Sequence, residues 1–180
     1  PYCAAETRSY SVILEDAATV SACSITTSEL KILLQGAYNP TSGLMETSPL
    51  FANKVLVNQP YADAPWNYYG AEYLNANDKP TNFIDWVLIE IWDVNYNNLI
   101  TQKAACLLAD GRIVNAERNA NSLYFEDLQI NENYHIIVRH RNHLAVASSQ
   151  AINAGLSLNY DFTTAATQES AQNLTQLPDG

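Results

Sequence analysis

One segment, Phe83–Trp92, constrains the fold more than any other part of the chain. Side chains in a strand alternate between the two faces of a sheet. Here apolar residues occupy the odd positions from Val87 to Ile91 and, except for Glu90, the even positions from Trp86 to Trp92. A strand that is apolar on both sides is covered on both sides. We therefore expect this segment at the centre of a sheet, or with its second face against a loop or another subunit.

Short apolar segments recur along the chain between residues that favour turns, and each segment predicts a strand. No segment keeps a helical period over three turns, and the most helix-like one, Glu29–Gln35, stops at Gly36. We therefore predict an all-β fold, an antiparallel β-sandwich of the immunoglobulin-like or jelly-roll-like kind. The predicted strands are Ser9–Leu14, Leu30–Leu34, Lys54–Val57, Phe83–Trp92, Leu99–Leu108, Arg112–Val114, Ser122–Phe125, Tyr134–Arg139, His143–Ser148 and Leu156–Phe162.

Two hairpins are predicted from their turn residues. Asp110–Gly111 precedes the predicted strand Arg112–Val114, and an Asp-Gly pair favours the positive φ angles of a two-residue turn. Arg141–Asn142 separates Tyr134–Arg139 from His143–Ser148, and its asparagine tolerates the left-handed conformation. Each pair of flanking strands is therefore expected to be antiparallel and adjacent.

The chain has 180 residues, which suits one domain with an appended segment. Residues 1–28 are rich in Ala, Ser and Thr and hold one predicted strand, so we predict an N-terminal arm or linker strand. A β-sandwich module follows over residues 29–180. One side of the arm strand carries Tyr10, Val12 and Leu14, which we expect to pair with a sheet edge of a neighbouring copy.

The charge and polar composition narrow the classes of partner. Asp and Glu number 19 against 9 Lys and Arg, a formal net charge of −10, which disfavours binding to nucleic acid or to an anionic membrane. No apolar run reaches the ~18 residues of a membrane span. The polar residues are mainly uncharged, with 19 Asn and 11 Tyr but 4 Lys, a composition common in extracellular adhesive proteins.

The three cysteines suggest neither a zinc site nor a redox centre, because no Cys-x-x-Cys occurs. Cys3 and Cys23 flank the predicted arm strand and are either bridged or reduced, since connectivity cannot be read from spacing. Cys106 stands between alanines and leucines and is predicted to be a small buried residue. We predict no cofactor.

The most distinctive motif is Val138–Val146, Val-Arg-His-Arg-Asn-His-Leu-Ala-Val. Segments that accompany it are Leu33–Asn39, Gly43–Met45, Gln59–Tyr61, Pro65–Trp66, Asp85–Glu90, Ala109–Gly111 and Tyr160–Phe162. Together they resemble a β-rich module of large secreted surface and adhesin proteins of the Bacteroidota, which often lies beside a type IX secretion sorting signal. The resemblance covers residues 29–180. It implies secretion and a structural or adhesive role, and it carries no assigned activity.

All three histidines, His135, His140 and His143, lie within nine residues around a predicted turn. His-x-x-His across a turn is one arrangement that binds a transition metal, but no carboxylate or thiolate stands at ligand spacing, so we predict no metal. We expect instead that arginines and histidines fix the loop by bonding to Asp85 and to backbone carbonyls. The predicted members of this polar cluster are Asp85, Arg139, His140, Arg141 and His143.

Five aromatic residues crowd the segment from Tyr61 to Tyr73, among Asn, Asp and Glu. Exposed rings with neighbouring amides and carboxylates suit the binding of a sugar. The alternative is that this segment packs its own aromatics on the sheet edge or in a subunit interface. The candidate residues for glycan binding or an interface are Tyr61, Trp66, Tyr68, Tyr69 and Tyr73.

Catalytic patterns are weak. Glu90 with Asp93, or Glu126 with Asp127, are carboxylate pairs of the type used in glycoside hydrolysis, but their spacing does not select them. Gly-x-Ser-x-Gly, phosphate-binding glycine loops and His-Glu-x-x-His do not occur. We therefore predict no catalytic residues and a chain that is not an enzyme.

Taken together, the sequence predicts a structural, adhesive extracellular module of a cell-surface filament or adhesin. Its expected partners are other copies of itself, joined head to tail through strand contacts. The alternative is a carbohydrate-binding module that uses the aromatic segment Tyr61–Tyr73. Nucleic-acid binding and membrane insertion are not expected.

Overall fold

The computed structural model describes residues 25–27, 29–46, 56–75, 79–116, 122–155 and 157–170. In this part of the chain β-strands dominate, and the helical segments are two 3₁₀ turns, Gln35–Ala37 and Ala166–Gln168. The prediction of an all-β, mainly antiparallel fold is confirmed. The predicted arm residues Tyr10, Val12 and Leu14, and the cysteines Cys3 and Cys23, lie outside the described residues.

Most predicted strands within the described residues are present, several of them shorter than expected. The strands are β1 (Ile25–Thr27), β2 (Leu30–Lys31), β3 (Tyr38–Asn39), β4 (Leu44–Met45), β5 (Phe83–Asp93), β6 (Leu99–Leu108), β7 (Ile113–Val114), β8 (Leu123–Phe125), β9 (Asn133–His140), β10 (His143–Ala147), β11 (Ile152–Asn153) and β12 (Tyr160–Asp161).

The segment that is apolar on both faces lies at the centre of the largest sheet, as predicted. The order of this antiparallel sheet is β10-β9-β5-β6-β7, and β11 pairs with β9. β5 pairs with β6 from Phe83 to Trp92 and with β9 from Leu88 to Asp93. Both faces of β5 are therefore available to a hydrophobic core.

The face that carries Val87, Ile89 and Ile91, here called the front face, is covered by short strands. Residues of the pairs β1–β8, β3–β4 and β2–β12 contribute to the core against it, and the last pair is parallel. Ile25 of β1 is fully buried in this core, so the folded module includes residues before 29. Because the described covering strands form separate two-stranded pairs, a sandwich of two complete sheets stays a prediction.

The opposite face, here called the back face, carries Trp86 and Leu88. Residues 56–75 cover it around these two side chains. Tyr61, Tyr68 and Leu74 of that segment belong to the same buried cluster. Cys106 lies in this cluster as a free thiol, and burial raises its pKa to about 12. Its prediction as a small buried residue is confirmed.

The turns differ in detail from the prediction. After Leu108, the Gly111 N–H bonds to the Leu108 carbonyl and the Leu108 N–H bonds to the Arg112 carbonyl, so the loop has three residues. Gly111 alone takes a positive φ, of 86°. The second hairpin has the expected two-residue turn, Arg141–Asn142, without the left-handed conformation at its asparagine. A turn of that kind mismatches the twist of the strands, and the register of β10 shifts after His143.

Among the described residues, no helix has the length and apolar character needed to cross a bilayer.

Candidate functional site

The predicted polar cluster forms where β5 begins and the β9–β10 hairpin turns. Asp85 lies on β5, His140 ends β9, Arg141 is in the turn and His143 begins β10. The antiparallel pairing of His140 with His143, together with that of β5 with β9, brings these side chains together. The structure therefore places four of the five predicted members in one hydrogen-bonded group.

Asp85 is the acceptor at the centre of this group. The Arg141 Nη2 atom donates to Oδ1 and to Oδ2 of Asp85, both at 2.7 Å. The Trp86 N–H donates to Oδ1 at 2.8 Å, and His140 Nε2 lies 3.2 Å from Oδ2. Burial alone would raise the pKa of the Asp85 carboxyl, but the hydrogen bonds from His140 and Trp86 and the charge of Arg141 outweigh it. The net pKa lies below its ordinary value, so Asp85 is a carboxylate at neutral pH.

The hydrogen bonds assign the tautomers of two histidines. Because the Asp85 carboxylate only accepts, His140 carries its proton on Nε2 and its Nδ1 is the acceptor. The Asn142 N–H donates to that Nδ1 at 3.2 Å, and His143 Nδ1 lies 2.8 Å from it. His143 therefore donates through Nδ1 and keeps its lone pair on Nε2.

Arg139, the fifth predicted member, points to the back face. Its Nε donates to Oε1 of Glu90 at 2.6 Å, and the Trp92 indole N–H donates to Oε2 at 2.9 Å. Glu90 is 6% exposed, so this ion pair neutralises a buried carboxylate. Sequence reasoning singled out Glu90 but did not pair it with Arg139; the diagonal position of the two residues across β5 and β9 becomes visible only with the register.

Tyr61 closes the gap where β5 and β9 separate. The last ladder pair is Leu88 with Arg139, and beyond it the Trp86 carbonyl has no strand partner. The Tyr61 hydroxyl donates to that carbonyl at 2.7 Å and lies 3.4 Å from the Arg139 carbonyl. Burial raises the pKa of Tyr61, and the nearby Asp85 charge adds to this effect.

The aromatic segment divides into buried and exposed residues. Tyr61 is fully buried and Tyr68 is 8% exposed, so neither ring can stack on a sugar. Trp66 is partly buried and packs edge-on against Tyr61. Tyr69 and Tyr73 are exposed, at 81% and 51%, and remain candidates for glycan binding.

The aromatic segment also contains a buried carboxyl. The Tyr68 hydroxyl donates to Oε1 of Glu72, which is 6% exposed. Gly70 leaves room for this pair, since a Cβ at position 70 would overlap both the Tyr68 hydroxyl and the Glu72 carboxyl. This packing favours the structural alternative for Tyr68.

His135 is separate from the other histidines. It faces Trp92 across the ladder, stacks on Tyr96 with ring centroids 4.2 Å apart, and contacts Ser148 O and Oγ through Nδ1. The three histidines are therefore close in the sequence, but in the sheet His135 is separate from the bonded pair His140 and His143.

The carboxylate pairs weighed as catalysts serve other roles or are exposed. Glu90 is bound to Arg139, while Asp93 accepts from the backbone N–H groups of Asn95 and Asn97 in the β5–β6 turn. Glu126 is exposed on the bend after β8. Within the described ranges, no three His, Cys, Asp or Glu residues converge as metal ligands.

Comparisons of this chain with protein-family models, with curated proteins and with solved structures found no match. The resemblance to the Bacteroidota surface module therefore stays a prediction from the motifs.

We expect stability to fall as the pH is lowered from about 7.5 to about 5. Burial holds the pKa of His135 and of His143 below the ordinary value of 6.5, because it disfavours the charged imidazolium. The unfolded chain therefore binds protons first as the pH falls through 6.5, and the free energy of unfolding decreases. Below about pH 4, the lowered pKa of Asp85 acts in the same direction.

Urea unfolding at a series of pH values, followed by circular dichroism, measures this effect. The His135→Gln, His143→Gln double variant is expected to lose most of the slope between pH 7.5 and 5. A wild-type stability that rises on acidification, or an unchanged slope in the double variant, would contradict the assignment.

Proposed function

We propose that this chain is a structural, adhesive module of an extracellular cell-surface assembly, in which copies join through strand addition. The observation that carries the proposal is an open edge of β6. β6 pairs with β5 along nearly its whole length but with β7 only through Cys106 and Leu107. Residues Leu99–Lys103 have no second partner strand in the described part of the chain and are exposed or partly exposed, whereas Ala104 and Ala105 are fully buried.

The direction of the backbone groups follows from the turn after β6. The Leu108 N–H donates to the Arg112 carbonyl, on the side of β6 away from β5. Because the backbone groups of successive residues in a strand point to opposite sides, the other even-numbered residues of β6 also direct their N–H and C=O groups away from β5. Ile100 and Gln102 therefore direct these groups to the open edge, whereas Ala104, on the same side of the strand, is fully buried. An unpaired edge is a template for a strand of another chain, and proteins commonly protect it with proline, bulges or charged side chains. The four residues Leu99–Gln102 of this edge carry no such protection, and the one charged residue, Lys103, lies where the open edge ends.

The proposed occupant is the segment Ser9–Leu14 of a neighbouring copy. Its six residues are enough to span the five residues Leu99–Lys103, and Tyr10, Val12 and Leu14 give one side of it the apolar character of a strand that adds to a sheet. A donor at one end and an acceptor elsewhere form a heterologous contact, which does not close and produces a filament. The composition and the resemblance to secreted surface modules support an extracellular location.

A proline at the open edge tests the proposal. Gln102→Pro removes an N–H that faces outward and leaves the ladder with β5 intact, and Val12→Pro removes an N–H of the donor strand. Each variant is expected to abolish concentration-dependent assembly in sedimentation velocity and in negative-stain microscopy of the full chain. Gln102→Ala, which keeps the backbone N–H, is expected to assemble like the wild type.

Circular dichroism and the urea midpoint establish that both proline variants are folded. A wild type that stays monomeric at every concentration would overturn the proposal, and so would proline variants that are folded and still assemble.

A further inference from the structure

The polar cluster contains a hydrogen-bonded chain whose outer end is an exposed imidazole. It runs from the Asp85 carboxylate to His140 Nε2 at 3.2 Å, and from His140 Nδ1 to His143 Nδ1 at 2.8 Å. Asp85 is partly buried, His140 is 7% exposed and His143 is exposed. The chain therefore begins inside the protein and ends at the surface.

The tautomers of the chain leave one lone pair available. His143 Nδ1–H is used by His140, so the lone pair of a neutral His143 lies on Nε2. A Cβ placed on Gly36 would lie 3.8 Å from that Nε2 atom, which locates it beside the Gln35–Ala37 turn. Because residue 36 is a glycine, no side chain at this position lies between solvent and Nε2.

From this geometry we propose that His143 is a nucleophile that accepts acyl groups from activated esters, with His140 and Asp85 as positioning residues. A nucleophile next to a base that a third group orients is the general arrangement of covalent catalysis. Here the nucleophile and the base are both imidazoles. The net charge of −10 favours neutral or cationic acyl donors over anionic ones.

The acyl transfer balances within this chain of groups. The Nε2 lone pair of His143 attacks the ester carbonyl carbon, the carbon–oxygen bond to the alcohol part breaks, and the alkoxide or phenolate leaves. The Nδ1 proton of His143 moves to the lone pair on Nδ1 of His140, which then no longer accepts a hydrogen bond from the Asn142 N–H. This leaves a neutral acylimidazole on His143 and an imidazolium on His140, paired with the Asp85 carboxylate.

Hydrolysis restores the starting state. Water adds to the acyl carbon, the carbon–nitrogen bond breaks, and the carboxylate product leaves. The proton held by His140 returns to His143 Nδ1, and the two protons of the water pass to solvent. The ion pair of His140 with Asp85 stabilises the charge that forms between the two steps.

The test uses the full-length protein and the neutral ester 4-nitrophenyl acetate at about pH 7.5. Wild type is expected to release 4-nitrophenolate roughly tenfold faster than the same concentration of N-acetylhistidine. His143→Asn is expected to fall to background. His140→Asn keeps an acceptor but cannot take up the proton, and it is expected to lower the rate roughly tenfold. His135→Asn, the matched control at the separate histidine, is expected to react like the wild type.

Two further measurements distinguish a direct effect on the reactivity of His143 from a general loss of folding. Burial and the neighbouring His140 hold the pKa of His143 below its ordinary value, and the charge of Asp85 opposes this lowering. In Asp85→Asn the midpoint of the pH–rate profile is therefore expected to move to lower pH, and the plateau rate is expected to fall. If the substitution merely loosened the structure around His143, the midpoint would move toward 6.5 instead. Gly36→Leu places a side chain beside Nε2 and is expected to slow the reaction without a change in the urea midpoint.

A wild-type rate no higher than that of N-acetylhistidine would overturn the proposal, and so would a rate that persists in His143→Asn. Neither result bears on the open edge of β6, because assembly is measured independently.

Discussion

Trp86→Ala is expected to lower the free energy of unfolding by about 4 kcal/mol. The Trp86 side chain is fully buried on the back face and packs edge-on against Phe83. Its indole N–H donates to the Leu56 carbonyl at 2.8 Å, which ties residues 56–75 to the sheet. The substitution leaves a cavity between the sheet and that segment, and the Leu56 carbonyl loses its donor.

Trp92→Ala is the matched control, since it removes the same side chain from the same face of β5. Trp92 is only partly buried, and Glu90 keeps the ion pair with Arg139 when it loses the Trp92 indole donor, so we expect a smaller loss of roughly 1–2 kcal/mol. Urea unfolding monitored by circular dichroism measures both variants without relying on tryptophan fluorescence. Equal losses for the two variants would mean that residues 56–75 do not cover Trp86 as described.

Asp85→Ala is expected to destabilise the protein by about 3 kcal/mol at neutral pH. Three donors lose their acceptor: the Arg141 guanidinium, His140 Nε2–H and the Trp86 N–H. His140 is nearly inaccessible to water, whereas the Arg141 side chain is 31% exposed and is partly resolvated. The partial exposure places the loss near the lower end of the range for a broken buried ion pair.

A double-mutant cycle with Arg141→Ala apportions this loss. Because Arg141 bonds Asp85, we expect Arg141→Ala to cost much less in the Asp85→Ala background than in the wild type. Glu132→Ala, at an exposed position in a turn, is the control for removing a carboxylate and is expected to change stability by less than about 0.5 kcal/mol. Additive effects of the two substitutions would contradict the ion pair.

The strands were predictable because local pattern and tertiary burial agree for them. Leu99–Leu108 has the predicted bounds, and β5 extends the predicted Phe83–Trp92 by one residue. Both segments are rich in apolar residues and are flanked by turn residues, which restricts where a strand begins and ends. Short pairs such as β3–β4 were not predicted, since two residues carry too little pattern to detect.

The site was predictable in composition but not in pairing. The sequence indicated that Asp85 serves the Arg-His-Arg stretch, and the structure pairs it with His140 and Arg141. Arg139 was expected in the same group, yet its place opposite Leu88 in the ladder directs it to the back face and to Glu90. Such a choice between two carboxylates depends on the register of two strands about 50 residues apart, which no local pattern contains.

The aromatic segment shows the same limit. Its five rings looked alike in the sequence, but Tyr61 and Tyr68 are buried and Tyr69 is exposed. Which ring enters the core depends on how residues 56–75 lie across Trp86 and on the carbonyl that Tyr61 reaches.

By itself, therefore, the sequence determined that the chain is all-β and that Phe83–Trp92 is central, because both follow from which side chains share a face of a strand. It also determined that Asp85 meets the histidine-arginine turn, because an unpaired buried charge is costly. Only the tertiary structure decided the parallel pairing of β2 with β12, the partner of Arg139, and the tautomers of His140 and His143. These depend on strand register and on contacts between distant segments, where a shift of one residue turns every side chain to the opposite face.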